Sequence, residues 1–426
     1  MYGAWQLGAA VVMCSPAWKA TEIRHACGLV QPHLSVGDDA GCAALLDALP
    51  DVPALSLDAE YQGPRSQLPI TPAVDDDVVL VFSSGTTGLP KAVRHTHRTM
   101  HHAVEHWIAA LGLTESDRFQ VATPPVHILG LLNIVTAVAA GARVRLHRRY
   151  DLDTSLRAIA DEHMTLEMAV APIALAMANH PRLEDFDLSS LRYIMWGATP
   201  VVDEVARTVT RRSGVRWLPA YGTSEVPVIA ANPVARPDAW RLDSAGLPPP
   251  GVRLRIVDPA TGEVEPAGSL GEIEVSSESA MAGYLPATET AAAFDDGWYR
   301  TGDIGWLEPE GWVHITDRLK EMLKVRGFQV APAEIEAVLH ADPRVRDCAV
   351  FGVDDPDLGD AIVAAVALVP GAAATEADLQ QLVESQLAGY KRVRHVVFVD
   401  EIPRLPSGKA LRRELKLRWS DELRSS

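Results

Sequence analysis

Hydrophobic and polar positions fall along this chain in blocks whose spacing separates strands from helices. The run VVLVF at 78–82 is apolar throughout, which predicts a buried strand, and it empties into a loop of Ser, Gly and Thr. Between 95 and 113 the residues Met100, Val104, Trp107, Ile108 and Leu111 recur at helical spacing and predict an amphipathic helix. From there, apolar runs at 141–146, 167–170, 191–196 and 217–220 alternate with helical stretches at 153–163, 172–178 and 201–213. Such alternation predicts parallel sheets with helices on both faces. Residues 251–275 change to short strands with Gly/Pro turns, a small β-rich subdomain. A strand at 312–315 precedes an RLKE stretch from Arg318 that reads as a hinge. Beyond it, helices at 333–340 and 376–386 and strands at 345–353, 362–369 and 395–398 predict a compact α+β module. Nearer the start, 9–13, 29–36 and 54–57 read as short strands, and the proline-bearing 61–73 as a linker. The expected fold is α/β. A large N-terminal domain, 1–317, of parallel sheets flanked by helices plus the β-rich subdomain is joined by the hinge to a small α+β C-terminal domain, 318–426.

A chain of 426 residues, 47% hydrophobic, has room for two domains and a large core. Its net charge of −17 argues against non-specific binding to nucleic acid or an anionic membrane. Basic residues crowd between Lys391 and Arg418, which suits a polyphosphate ligand or a solvated helix face equally. Cys14, Cys27, Cys42 and Cys348 have neither metal-like spacing nor a paired framework, so a reducing cytoplasmic setting is expected. No apolar run reaches the roughly 18 residues of a spanning helix, so no transmembrane segment is expected. The opening MYGAWQLGAAVVMC lacks a basic n-region and a small-x-small cleavage site, so it is not expected to be a signal peptide. Five histidines between 95 and 106 are read as helix packing and a solvated face rather than metal ligands.

The chemistry concentrates at VFSSGTTGLPK, residues 81–91. Glycines let the backbone approach an anion, successive N–H groups form a nest, and hydroxyls and one ammonium add donors. A polar turn after a strand has the same composition. The stretch is not a Walker A motif, because Pro90 and Ala92 stand where that motif needs Gly and a hydroxyl. Four further stretches follow in order: PPVHILGLL (124–132), AYGTSE (220–225), WYRTGD (298–303) with DRLKEMLKVRGFQVAPAEIE (317–336), and PRLPSGKALRREL (403–415). Together the five resemble the adenylate-forming superfamily of acyl-CoA synthetases, adenylation domains and luciferases, with the coumarate-CoA-ligase and fatty-acyl-CoA-ligase branch nearest. Residues 2–26 are similar to an internal helix–strand of that family, so either the sequence as given starts late or its first domain is a shortened form with uncovered strand edges.

The resemblance implies a role for each motif. Ser83, Ser84, Gly85, Thr86, Thr87, Gly88 and Lys91 would hold the β- and γ-phosphates of ATP. Tyr221 would lie on adenine, with Gly197, Ala198, Gly222 and Thr223 beside the nucleotide. Ser224 would meet a phosphate oxygen, and Ser224 and Glu225 would hold Mg2+. Asp303 and Arg318 would bond the ribose hydroxyls; an ionised carboxylate suits a vicinal diol. His127 would line the acyl tunnel, whose walls would include Met195, Trp196, Gly197, Gly222, Thr223 and Val228, with Trp196 as a cap. Lys409 would bridge carboxylate and α-phosphate as a compact ammonium meeting charge that exists near the transition state. Lys320 falls at the hinge, and Lys324 and Gln329 at positions contacting the adenylate or thioester-stage ligand. Rotation of a mobile small domain would then exchange Lys409 for the Gly327 loop, forming a pantetheine channel. Catalysis would rest on Lys409, Glu225, Lys91 and His127.

The expected activity is an AMP-forming acyl- or aryl-CoA ligase using ATP, Mg2+ and CoA. A stand-alone adenylating enzyme loading a carrier protein and a non-catalytic nucleotide-binding relic stand as rivals, and a homo-oligomer stays open. The acid itself is not readable from the motifs.

Overall fold

The computed structural model describes residues 1–60, 71–83, 91–147, 149–199, 201–326, 328–355, 358–404 and 408–423. Its centre is a six-stranded sheet in the order Ala230–Ala231, Trp217–Tyr221, Tyr193–Trp196, Leu166–Ala169, Arg118–Val121, Arg143–Leu146. All neighbours are parallel except the Ala230–Ala231 edge. Both faces are buried, as parallel sheets require. Tyr193 and Met195 enter the main core with Phe119, Leu131 and Tyr221. Ile194 and Trp196 enter a separate core with Trp217, Leu156 and Val209 from the helices Leu152–Glu162 and Asp203–Ser213. Period-2 alternation with both registers apolar is why the strand YIMW reads as a continuous hydrophobic run.

Beside it lies a four-stranded sheet, Val11–Val12, Asp77–Ser83, Lys91–Thr96 and Gly283–Leu285. Only its first pair is parallel; Asp77–Ser83 and Lys91–Thr96 form an antiparallel pair with Ser83 opposite Lys91. An antiparallel six-stranded sheet, including Trp298–Leu307 and Val313–Arg318, forms the predicted β-rich part. The smaller C-terminal part is a five-stranded sheet built on the long pair Val345–Asp355 and Gly359–Leu368, with helices Pro332–His340 and Glu376–Gln386 on its core.

Three expectations are corrected. Residues 29–36 are not one strand: the helix Ala20–Val30 runs through Leu29, ends at left-handed Gln31 before Pro32, and leaves only Ser35–Gly37 extended. The histidine-rich helix begins at His97, because Lys91–Thr96 is recruited as a strand and Thr96 caps the helix through the Thr99 N–H. The strand expected at 312–315 runs on to Arg318, so the hinge starts inside a paired strand. A C-terminal helix, Arg412–Leu423, follows the PSGK stretch. Among the described residues, no helix is long and apolar enough to cross a membrane.

Candidate active site

Strand Trp217–Tyr221 turns back sharply into Ala230–Ala231 at the carboxyl end of the parallel sheet, the end at which open α/β sheets bind ligands. The turn is tight: the Thr223 N–H donates to the Val226 carbonyl at 2.9 Å, and the Val226 N–H donates to the Thr223 hydroxyl at 2.9 Å. A Cβ at residue 222 would lie 2.1 Å from the Pro227 carbonyl oxygen, so this site needs Gly222. The turn presents Thr223, Ser224 and Glu225 together.

Two distant residues lock it. His95 is fully buried, with Nε2 2.8 Å from the Ser224 carbonyl and Nδ1 3.2 Å from the Thr99 hydroxyl. Burial pushes its pKa down, so the ring is neutral and Nε2–H donates to Ser224. Tyr284 donates from Oη to Glu225 Oε1 at 2.8 Å, and the Met281 N–H donates to the Glu225 carbonyl at 2.7 Å. The expected solvated face thus does not extend to His95, which positions the Ser224–Glu225 pair. Motif spacing cannot show this, since His95 and Ser224 lie 129 residues apart.

Asp303 and Arg318 are cross-strand partners. Arg318 Nε is 2.9 Å from Asp303 Oδ1, and the Tyr221 hydroxyl donates to Asp303 Oδ2 at 2.5 Å. Asp303 raises the Arg318 pKa further, so the guanidinium stays charged. The predicted adenine ring partner and the predicted ribose acid are therefore one hydrogen-bonded unit. Next to it, Asp317 Oδ1 accepts from the Arg318 N–H at 2.7 Å and Oδ2 from the Ala333 N–H at 3.0 Å. One half-buried carboxylate thereby ties the last strand of the large part to the first helix of the small one.

Gly408 and Lys409 approach this unit from the small part. Gly408 has φ +86°, and a Cβ there would lie 3.0 Å from Pro172 Cδ and 3.3 Å from Thr199 Cγ2, both in the large part. That approach delivers Lys409 to the cleft, where Arg318, Asp303, Glu225 and Lys320 all act on its charge. Solvent reaches the Lys409 side chain, but protein walls most of its surroundings. Desolvation, followed by the Arg318 charge, pushes its pKa down to about 8. His127, half-buried before the helix Ile128–Ala139, has its pKa lowered by burial and by Lys409.

The remaining predicted residues divide. Ser83 and Lys91 flank the predicted phosphate loop; Lys91 is ion-paired with Glu289, and its Nζ lies 5.4 Å from the Tyr284 ring centroid. Ser84, Gly85, Thr86, Thr87 and Gly88 lie outside the described residues, as does Gly327. Ala198 is held at φ +64°, a strained conformation for alanine, between Gly197 and Thr199. Lys324 and Gln329 face each other on an exposed hairpin of the small sheet, and Lys320 is exposed at the hinge. Met195 and Val228 are packed in the main core with Tyr221.

Trp196 is not a pocket cap. It is 1% exposed, lies against Trp217 with ring centroids 5.0 Å apart and planes tilted by 59°, and donates to Thr199 Oγ1 at 3.2 Å, on the face opposite Met195. Its indole has no open surface to offer a substrate. Trp196→Ala is expected to lower unfolding free energy by about 3–5 kcal/mol, read from urea melts, without a shift in acid preference.

The donors fit the expected metal. Glu225 supplies one carboxylate and Ser224 one hydroxyl, hard oxygens that leave most of an octahedral shell to phosphate oxygens and water, as Mg2+ prefers. Among the described residues no group of three His, Cys, Asp or Glu is placed to hold a metal alone.

Residues 1–285 match the AMP-binding enzyme family, and residues 334–409 match the AMP-binding enzyme C-terminal domain. The chain belongs to the AMP-binding enzyme family. Within this adenylate-forming superfamily it is 36% identical over 353 residues to 4-coumarate–CoA ligase 2 of Nicotiana tabacum, covering 80% of this chain and 65% of that one. The chain thus spans just under two thirds of that relative's length. Among solved structures, ATP-bound MatB from Rhodopseudomonas palustris aligns with a TM-score of 0.90 at 27% identity, over 98% of this chain and 85% of that one. The apo form of MatB aligns at 0.78 over the same shares. This AMP-binding enzyme is therefore arranged more like the ATP-bound form. The amide bond synthetase McbA from Marinactinospora thermotolerans aligns at 0.89 with 31% identity, over 98% and 86%.

Proposed function

We propose that this AMP-binding enzyme is an acyl- or aryl-CoA ligase: a carboxylic acid attacks the α-phosphorus of ATP to give acyl-AMP and pyrophosphate, and the CoA thiol then displaces AMP to give a thioester. The observation that carries the reading is Lys409, brought from the small domain to the Tyr221–Asp303–Arg318 unit and Glu225. Two anions must meet in the first step, so an ammonium at their junction lowers the barrier as charge is redistributed. We take the domain boundary at 317/318, where Asp317 bonds to both sides.

In this reading Asp303 and Arg318 hold the ribose, the Tyr221 ring packs beside the base, and Lys91 exchanges Glu289 for phosphate, joined by Ser83 and the loop 84–88. Glu225 and Ser224 would hold Mg2+, which when bound neutralises phosphate charge. His127 stands at the acyl side of the cleft, its ring kept neutral. Opening of the Gly408 contact would withdraw Lys409 and bring Lys324 and Gln329 inward for thioester formation. A second reading, with an amine as the acyl acceptor, draws on the likeness to the amide bond synthetase. Carrier-protein loading and a catalytically silent relic are the other outcomes to separate. A panel of carboxylic acids with MgATP, scored for AMP release with CoA, a holo carrier or an amine, separates all four; release coupled only to CoA thioester formation is the expected result.

The lysine gives the first half-reaction a pH signature. The protonated form acts, so kcat/KM for adenylate formation should fall as pH rises through about 8. Lys409→Arg, charged throughout, should lose this alkaline limb even if slower. An identical limb in both proteins would remove Lys409 as its source.

A further inference from the structure

A half-buried chain of hydrogen bonds within the small domain ends on the carbonyl that precedes Lys409. Arg404 begins it. Its Nη1 donates to the Gly408 carbonyl at 2.7 Å, while Nη2 and Nε donate to the two oxygens of Asp347 at 2.7 and 3.1 Å. Asp347 is fixed in turn by His340 Nε2 at 3.4 Å and by the Cys348 N–H at 2.9 Å. His340 is anchored from its other side, with Nδ1 2.9 Å from the Glu336 carbonyl and 3.2 Å from the Cys348 sulfur. The main chain is paired on both sides of the Gly408 carbonyl: Arg404 bridges Ala410, and the Leu411 N–H donates to the Pro403 carbonyl at 2.8 Å.

We propose that Arg404, oriented by Asp347, is a positioning residue for adenylate formation: it fixes the Gly408 carbonyl and with it the direction in which Lys409 enters the cleft. The inference rests on the role proposed for Lys409. Glycine at positive φ has more backbone freedom than any other residue, so the carbonyl before Lys409 needs an external restraint. A guanidinium fork can grip a carboxylate with two parallel N–H groups and still aim a third at a carbonyl; a lysine's three N–H groups radiate from one nitrogen and lack that planar fork. Burial opposes ionisation of Asp347, but His340 and Arg404 outweigh it and hold its pKa down, so the grip is charge-assisted. Asp347 lies 57 residues from Arg404, and neither faces the cluster of Asp303, Glu225 and Arg318 through any bond described above.

The test uses the full-length enzyme with Arg404→Lys and Asp347→Asn, each in two assays. First, the half-reactions are separated. Adenylate formation should fall roughly 10–100-fold in kcat with ATP KM within about threefold, from the size of one misplaced catalytic donor. Thioester formation from preformed acyl-AMP should stay within about twofold. Second, Lys409 is titrated by its rate of acetylation with acetic anhydride, followed by mass spectrometry. Its midpoint should move from about 8 in the parent toward the ordinary lysine range in both variants as the ammonium leaves the crowded cleft. Equal loss in both half-reactions, or an unmoved Lys409 midpoint, overturns the positioning role. The acetylation assay needs no substrate, so absence of adenylation in the parent protein would count against the proposed ligase function and leave the Arg404 result readable by itself.

Discussion

Lys409→Ala is expected to lower the rate of acyl-adenylate formation by about 10²–10³-fold and to leave thioester formation from preformed acyl-AMP within twofold of the parent. The asymmetry follows from where the lysine is held. Gly408 lies so near the large domain that a Cβ there would sit 3.0 Å from Pro172 Cδ, and the next residue places its ammonium where Asp303, Glu225 and Arg318 act on it. In the proposed rotation of the small domain, a group delivered by that approach acts in the step for which the approach is made. The ammonium is also partly desolvated, which strengthens its interaction with a phosphate–carboxylate pair relative to water. Rapid-quench measurement of both half-reactions decides the matter, and equal loss in the two would remove the division of labour between conformations.

Asp303→Ala should weaken ATP binding by about 100-fold, corresponding to the loss of charge-assisted hydrogen bonds worth roughly 1.5–3 kcal/mol each. Two local partners lose their acceptor at once, the Tyr221 hydroxyl and Arg318 Nε. Tyr221 is buried and cannot recover the bond from bulk water, so the melting temperature should fall as well. Asp303→Asn separates the two effects. The amide oxygen keeps an acceptor for Tyr221, so stability should largely return, whereas ribose recognition and the Arg318 pair stay impaired. Isothermal titration with ATP and a thermal melt give both readouts. Unchanged ATP affinity in Asp303→Ala would place the ribose elsewhere.

Local pattern carried the fold a long way, and the physical reason is visible in individual strands. The runs at 78–82 and 193–196 are apolar because their sheets are covered on both faces, and such runs are conspicuous without knowledge of their neighbours. The misplaced elements are those decided by partners far away. His95 and Thr96 have helix-like neighbours, yet pairing with Asp77–Ser83 holds them extended. Leu29 has strand-like neighbours, but it completes a helix that buries Ile23, Ala26 and Cys27.

The candidate site shows the same division. Asp303, Arg318, Glu225 and Lys409 lie in short motifs, and the structure gathers them from four separate stretches into one electrostatic neighbourhood. The groups that orient them were invisible: His95 behind Ser224, Tyr284 on Glu225, Glu289 on Lys91 and Asp347 behind Arg404. None has a diagnostic neighbour in sequence, because a supporting residue is chosen for the direction of one hydrogen bond rather than for chemistry of its own. Trp196 erred the other way. Its place beside GATP suggested a substrate wall, but strand alternation turns its side chain to the helix-packed face, into the core with Trp217.

A nucleotide activating an organic acid under a lysine lent by the small domain is the centre of this description, and acid-dependent exchange of labelled pyrophosphate into ATP measures it most directly. At least one acid in a panel of aryl, short-chain and medium-chain acids should drive exchange in the parent protein, without any acyl acceptor, and Lys409→Ala should reduce that exchange by about 10²–10³-fold. Protein that binds ATP yet exchanges no pyrophosphate with any acid, or exchange that persists undiminished without Lys409, would contradict it.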